Sequence, residues 1–243
     1  MIKKVFILLG AVVILSCQDT KTNQNETSKS NKNNVQKKQQ KNQTKNNRNQ
    51  IKSKYELDTI SKLQQEELIP FLTEYGKTHP QTRAVIETKF GDIELELFTD
   101  TPLHRANFIY LANLGYFDTT YFYRVDEDFV IQGGNSDNVI TSRMRKRIGS
   151  FLIPKEFHNK YRHRYGTLAA AKYARQNVSK ASSPFEFYIL MDKEGASHLD
   201  QEHTIFGKVT KGMSVAEKIN QVETGESSQW PVENVEIKVR VLD

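Results

Sequence analysis

An arginine, a glutamine and several aromatic rings crowd onto one short extended stretch, Tyr121-Phe122-Tyr123-Arg124-Val125 followed by Phe129-Val130-Ile131-Gln132-Gly133-Gly134. Arginine is charged at every working pH and carries a rigid fork of N–H groups, so Arg124 suits hydrogen-bond donation rather than proton transfer. Taken alone, such a residue is most often a surface ion-pair partner; its setting among apolar side chains is what raises interest. Other chemistries find little support. Cys17 is the single cysteine, which leaves no internal disulfide and no thiolate metal cluster. His158 and His163 stand five apart near Glu156 without a second group of ligands, so no metal site is expected. Gly133-Gly134 lacks a phosphate-loop context, and spacing alone supports no Ser-His-Asp arrangement.

The stretch from Tyr121 to Gly134 resembles the active-site strand of the cyclophilins, which are peptidyl-prolyl isomerases. The resemblance runs from Val85-Ile86-Glu87-Thr88-Lys89-Phe90-Gly91-Asp92-Ile93 through His203-Thr204-Ile205-Phe206-Gly207-Lys208-Val209 to the C-terminus. It implies a reaction that needs no nucleophile, metal or cofactor. Rotation about an X-Pro bond faces a barrier of about 18–20 kcal/mol from amide resonance. A catalyst must grip the proline ring in a dry pocket and donate a hydrogen bond to the imide nitrogen as the twisted amide regains its lone pair.

Carried over by this resemblance, Arg124 is the catalytic donor and Gln132 orients it while touching substrate backbone. Phe129, Val130, Tyr188, Leu199 and His203 wall the proline pocket, and Ala171 and Lys172 lie on the segment that pairs with an extended peptide. Several positions depart from the family pattern. Tyr123 stands for the usual histidine, Val130 for methionine, Tyr188 for phenylalanine and Lys172 for asparagine. Glu186 stands for glutamine, so the groove is expected to disfavour acidic residues near the substrate proline. His198 stands for the tryptophan that favours cyclosporin, so weak binding of that macrocycle is expected. The same departures keep a second reading open, a module or holdase that binds proline-containing chains and turns them over slowly.

The elements that would position these residues are legible from their periodicity. Ile93, Leu95 and Leu97 alternate with Glu94 and Glu96 after a Gly91-Asp92 turn, which predicts a hairpin with one wet face. Thr101-Pro102 reads as a cap and first turn, with Leu103, Ala106, Tyr110, Leu111 and Leu114 on one helical face up to Gly115. Strands are expected at 122–125, 129–132, 166–171, 186–190 and 204–209, a second helix around Met213, Ala216 and Ile219, and a closing strand through Val235, Ile237, Val239 and Val241. The polar, basic connection from Asp137 to Arg164 reads as a surface excursion. The fold class expected is mainly β, a closed eight-stranded antiparallel cyclophilin-like barrel capped by two helices. Residues 55–82 form a helical extension in which Leu57, Ile60, Leu63 and Leu68 recur at roughly helical spacing, Pro70 ends or kinks the run, and a second turn follows from Phe71 to Tyr75. The isomerase domain takes residues 83–243.

Residues 1–16 carry Lys3 and Lys4 and then the apolar run Val5 to Leu15, the order of a secretory signal and too short to span a bilayer. Leu15-Ser16-Cys17 resembles a bacterial lipobox, so Cys17 is the expected lipidation site. Residues 17–54 are rich in Asn, Gln and Lys with almost nothing apolar, the composition of a disordered tether. From Gln18 to Lys54 there are ten Lys or Arg against two acids; setting aside that +8 and the +2 of Lys3 and Lys4 turns the chain's +6 into −4 for residues 55–243. The basic balance therefore says nothing of the folded part, and no nucleic-acid partner is expected. The expected partners are proline-containing polypeptide segments and a membrane held through Cys17. The expected state is a lipid-anchored monomer in a bacterial cell envelope, folded outside the cytoplasm.

Overall fold

A computed structural model describes residues 57–173, 178–225 and 228–243. The signal, the tether and Cys17 lie outside the described residues.

Eight strands build one antiparallel sheet: β1 Arg83–Thr88, β2 Gly91–Leu97, β3 Tyr121–Asp126, β4 Val130–Asn135, β5 Thr167–Ala170, β6 Phe187–Leu190, β7 Ile205–Lys211 and β8 Lys238–Leu242. Their spatial order is β3-β4-β6-β5-β7-β2-β1-β8. The β1–β2 hairpin pairs Thr88 with Gly91, and Gly91 at φ +122° supplies the left-handed turn that a side chain would strain. Ile93, Leu95 and Leu97 are buried, while Glu94 pairs with Lys211 and Glu96 with Lys208 on the outer face.

The expected closed barrel is corrected to a curled half-barrel. Among the described residues β3 and β8 do not pair along their length; the seam is crossed at the Tyr121–Glu236 bridge and by the Phe122 N–H donating to the Val235 carbonyl at 2.9 Å. β8 spends its ladder on β1, from Arg83–Leu242 to Glu87–Lys238. The residues just before β8 reach β3 without becoming a strand. Apolar alternation runs unbroken through Val235, Ile237 and Val239, so the pattern hides this change of partner.

The described residues hold four α-helices, α1 Leu68–Thr78, α2 Pro102–Asn113, α3 Val139–Ile148 and α4 Met213–Asn220: α2 and α4 are the two expected capping helices, α1 belongs to the expected helical extension, and α3 alone was not expected. The extension does not form its helix where the apolar spacing placed one. Leu57–Thr59 is a single 3-10 turn, and α1 begins near the proline expected to end a helix. Pro70 is the third residue of α1, where a backbone N–H has no acceptor within the helix and its loss is harmless. Leu68, Leu72 and Gly76 form the buried stripe of α1 at i, i+4 and i+8.

α2 is buried on nearly every side, with α1 packed against it. Its buried Arg105 reaches the last turn of α1 and beyond, donating to the carbonyls of Gly76 at 3.2 Å, His79 at 3.0 Å and Gln81 at 3.1 Å. A cation there meets the negative end of the helix dipole and carbonyls that would otherwise lack donors. The cap expected from Thr101 comes instead from Glu156, whose carboxylate accepts the Leu103 and His104 N–H groups at 3.0 Å each and the His104 ring at 2.6 Å. Two backbone N–H groups and a ring donor offer a charged acceptor more than one hydroxyl can use; the Thr101 hydroxyl turns back to the Phe98 carbonyl.

The presumed surface excursion contains α3. Ile140, Met144 and Ile148 are spaced by four and buried, so the basic residues between them ride on an amphipathic helix. The extension leans on it: the Leu63 N–H donates to the Ile148 carbonyl at 2.9 Å, and Asp58 pairs with Arg147 at 2.8 Å.

Candidate active site

The apolar interior divides in two across the sheet. A large cluster includes Phe122, Ile131, Phe187 and Ile189 on one face; a smaller one on the other face gathers Val130, Ala169, Ala171, Tyr188, Leu190 and Ile205, with Phe129 and Leu199 at its edge. Period-two alternation makes the division, for Ile131 and Val130 are neighbours on one strand facing opposite ways.

Over the smaller cluster lies an open cleft of about 190 Å³ lined by Arg124, Phe129, Val130, Gln132, Ala171, Lys172, Tyr188, Leu199 and His203. All nine are residues singled out from the sequence. Register explains how three of them meet: Arg124 on β3 stands opposite Gln132 on β4, and Gln132 opposite Tyr188 on β6. The three strands thus carry donor, amide and ring in one row. α4 pins the β3–β4 turn, because Asn220 accepts the Asp128 N–H at 2.9 Å and donates to the Asp126 carbonyl at 2.9 Å.

Arg124 is held on three sides. Its Nε donates to Gln229 at 2.6 Å, Nη2 to Asp126 at 2.8 Å and Nη1 to the Gln132 carbonyl oxygen at 3.5 Å. Those contacts occupy three of the five N–H groups of a guanidinium, leaving one on each terminal nitrogen for a substrate. Neither Asp126 nor Gln229 was singled out from the sequence. Asp126 lies two residues beyond Arg124, on the same face of a strand, and that spacing was a usable signal. Gln229 arrives from a loop about a hundred positions away and carries no local mark.

The floor is apolar with one polar atom accounted for. Tyr188 is 4% exposed, and its hydroxyl donates to His163 Nε2 at 2.9 Å while His163 Nδ1 donates to Asp200 at 2.9 Å. Burial pushes the His163 pKa down and raises that of Tyr188, so the ring is neutral and the phenol protonated. The Asp200 carboxyl is held below its ordinary value despite the opposing effect of its burial, by the backbone and ring N–H groups of His163. His203 donates from Nδ1 to the Ala170 carbonyl at 3.0 Å, and burial lowers its pKa to about 4. From the sequence His163 draws notice only beside His158, as a pair too sparse to hold a metal, and Asp200 none at all, because spacing does not reveal the contacts of a buried histidine.

At the rim, Lys172 pairs with Glu202 at 2.7 Å. Lys172 first and Lys180 second hold the Glu202 carboxyl down at about 2. Ala171 has spent its backbone inside the protein, donating to the Glu186 carbonyl at 3.0 Å and accepting from the Ser183 N–H at 2.8 Å. Two candidates stand outside the cleft lining. His198 is exposed and stacks on Phe129 with ring centres 6.0 Å apart. Glu186 pairs with Arg145 at 3.0 Å and accepts from the Tyr123 hydroxyl at 3.3 Å.

A curled eight-stranded antiparallel sheet with an arginine-edged apolar cleft on its outer face describes a proline-peptide isomerase fold, and comparison with known proteins gives it a family. Residues 83–241 match the family described as cyclophilin type peptidyl-prolyl cis-trans isomerase/CLD. The chain is 33% identical over 162 residues to peptidyl-prolyl cis-trans isomerase-like 1 of Neurospora crassa, covering 66% of this chain and 94% of that protein. It is 32% identical over 165 residues to peptidyl-prolyl cis-trans isomerase A of Dickeya dadantii, covering 66% and 82%. In fold it is similar to a Cryptosporidium parvum cyclophilin-type isomerase crystallised in the presence of the dipeptide Ala-Pro, with a TM-score of 0.55 at 24% identity, covering 66% of this chain and 99% of that one. The chain belongs to the cyclophilin family of peptidyl-prolyl cis-trans isomerases.

Proposed function

We propose that this isomerase works by donation from Arg124 to the imide nitrogen of an X-Pro bond whose proline ring sits against Phe129, Val130, Tyr188, Leu199 and His203. The observation that carries the reading is the row Arg124, Gln132, Tyr188, which sets a fixed, partly uncommitted guanidinium at the mouth of an apolar cleft. Such a donor strengthens its bond only as the amide twists and its nitrogen becomes basic, so it lowers the barrier without tightening the ground state. Gln132 holds the guanidinium and meets the substrate backbone. The extended peptide runs along Lys172, since Ala171 has committed its own backbone to Glu186 and Ser183. Arg124→Ala is expected to lower kcat/KM on a short X-Pro peptide at least tenfold, about 1.4 kcal/mol of transition-state stabilisation, with the fold retained. A folded Arg124→Ala protein as active as its parent overturns the mechanism.

The residue order of the N-terminal segment supports a lipid-anchored protein of the bacterial cell envelope whose clients are exported chains. Cys17→Ser is expected to move the protein from the membrane to the soluble fraction, while shortening residues 18–54 leaves turnover of small peptides unchanged. Retention of the Cys17→Ser protein on membranes after signal cleavage overturns the anchor.

A further inference from the structure

A line of hydrogen bonds leaves the cleft behind Arg124 and ends on α3. Arg124 Nη1 donates to Gln132 Oε1 at 3.5 Å, Gln132 Nε2 donates to the Tyr123 hydroxyl oxygen, and that hydroxyl donates to Glu186 Oε2 at 3.3 Å. Glu186 Oε1 accepts from Arg145 Nη2 at 3.0 Å. Arg145 is itself gripped: Nε donates to the Tyr116 hydroxyl at 2.7 Å, Nη2 to the Gly134 carbonyl at 2.8 Å, and the guanidinium lies 4.9 Å over the Phe185 ring. The Glu186 and Arg145 side chains are 11% and 23% exposed, so water competes weakly for them.

Two members of this line could point either way. A glutamine amide presents a carbonyl oxygen at one end and an NH₂ at the other, and a tyrosine hydroxyl both gives and takes. A carboxylate only accepts. Because Glu186 can do nothing but accept, the Tyr123 hydrogen turns toward it, the hydroxyl oxygen faces the Gln132 NH₂, and the Gln132 oxygen is left facing Arg124. Burial raises the Tyr123 pKa and the charge of Glu186 raises it further, which keeps that hydrogen in place. An amide turned the other way would set NH₂ against a guanidinium, donor against donor.

Resting on the reading of Arg124 as the donor, we propose that Glu186, held by Arg145, is a positioning residue for the isomerase reaction that acts through Tyr123 to fix which end of the Gln132 amide meets Arg124. The substitution Glu186→Gln keeps size and fold but reverses the line. Arg145 claims the new carbonyl, the new NH₂ faces the Tyr123 oxygen, the Tyr123 hydrogen passes to Gln132, and Gln132 turns its NH₂ on Arg124.

The test measures kcat and KM on one X-Pro peptide for the full chain and for Glu186→Gln, Tyr123→Phe, the double variant and Arg124→Ala, with thermal midpoints alongside. Glu186→Gln is expected to lower kcat about tenfold with KM within about twofold and the midpoint nearly unchanged, since a misdirected positioning group acts on the transition state. In the Tyr123→Phe background, where the line is already cut, Glu186→Gln is expected to add nothing. Independent, multiplying losses in the double variant, or a Glu186→Gln protein as active as its parent while Arg124→Ala is inactive, overturns the relay and leaves the Arg124 reading intact. Full activity of Arg124→Ala overturns both.

Discussion

The two walls of the cleft are built from different materials. On the β3–β4 side, Arg124 and Gln132 are polar, partly wet and tied by directional hydrogen bonds to Asp126, Gln229 and Tyr123. In the rest of the lining, the floor included, Val130, Ala171 and Tyr188 are buried, with Phe129 and Leu199 half-buried, and the Tyr188 hydroxyl is satisfied by His163. Under the mechanism proposed above, the directional wall discriminates between twisted and planar amides and the apolar floor holds both alike. Rate and affinity should therefore separate along the line between them.

Perturbing the floor should give the largest effect, and on stability. Tyr188→Ala empties a buried site and orphans His163, so a loss of about 3–5 kcal/mol in unfolding free energy is expected from chemical denaturation, together with weaker peptide binding. On the donor wall, Arg124→Lys replaces the fork by a point charge and should cost at least tenfold in kcat, about 1.4 kcal/mol, with KM and stability little changed. If Arg124→Lys instead raises KM alone, the division of labour is wrong. Tyr188→Phe, which keeps the ring and removes only the hydroxyl, should destabilise by about 1 kcal/mol with kcat intact.

Acid should act on the histidines of the floor. His203 titrates near 4 in the folded protein against an ordinary 6.5, and His163 is also lowered, so between those values the unfolded chain binds more protons and stability falls as pH drops from 6.5 toward 4. The Glu202 carboxyl, held at about 2 against 4.5, adds its own loss only below 4.5. Denaturation curves across that range should show the slope, and His203→Phe should flatten it. The smallest effect belongs to the rim: Lys172→Ala should shift the preference between acidic and basic residues flanking the proline by a few tenths of a kcal/mol, an effect that fades with salt.

Side chains that line the cleft were legible because strand alternation and motif order carry them, and Arg124, Gln132 and Tyr188 fall in register once the strands pair. What escaped the sequence lay in contacts between distant residues. The basic run around Arg145 looked like solvated loop, although Ile140, Met144 and Ile148 spelled out the buried stripe of α3. Glu156 carried no expected role and proves to cap α2, which depends on fold geometry over about fifty positions. The half-open seam was hidden for the opposite reason, since the apolar alternation before β8 continues where pairing does not. Glu186 drew attention for its charge, but the direction of that charge rests on Arg145.

The buried guanidinium of Arg105 sets a limit on how this chain can be cut. The part recognisable as family begins at residue 83, yet Arg105 finds its acceptors at Gly76, His79 and Gln81, all upstream of that border. A fragment starting there would take three carbonyl acceptors from a guanidinium that is 8% exposed in the full chain, open it to water, and uncover the face of α2 on which α1 packs. Losing that apolar packing is expected to cost several kcal/mol, a large share of the stability of an ordinary domain. The folding unit is therefore expected to begin before α1, and an N-terminal truncation series should show cooperative unfolding weakening as soon as the deletion enters that helix.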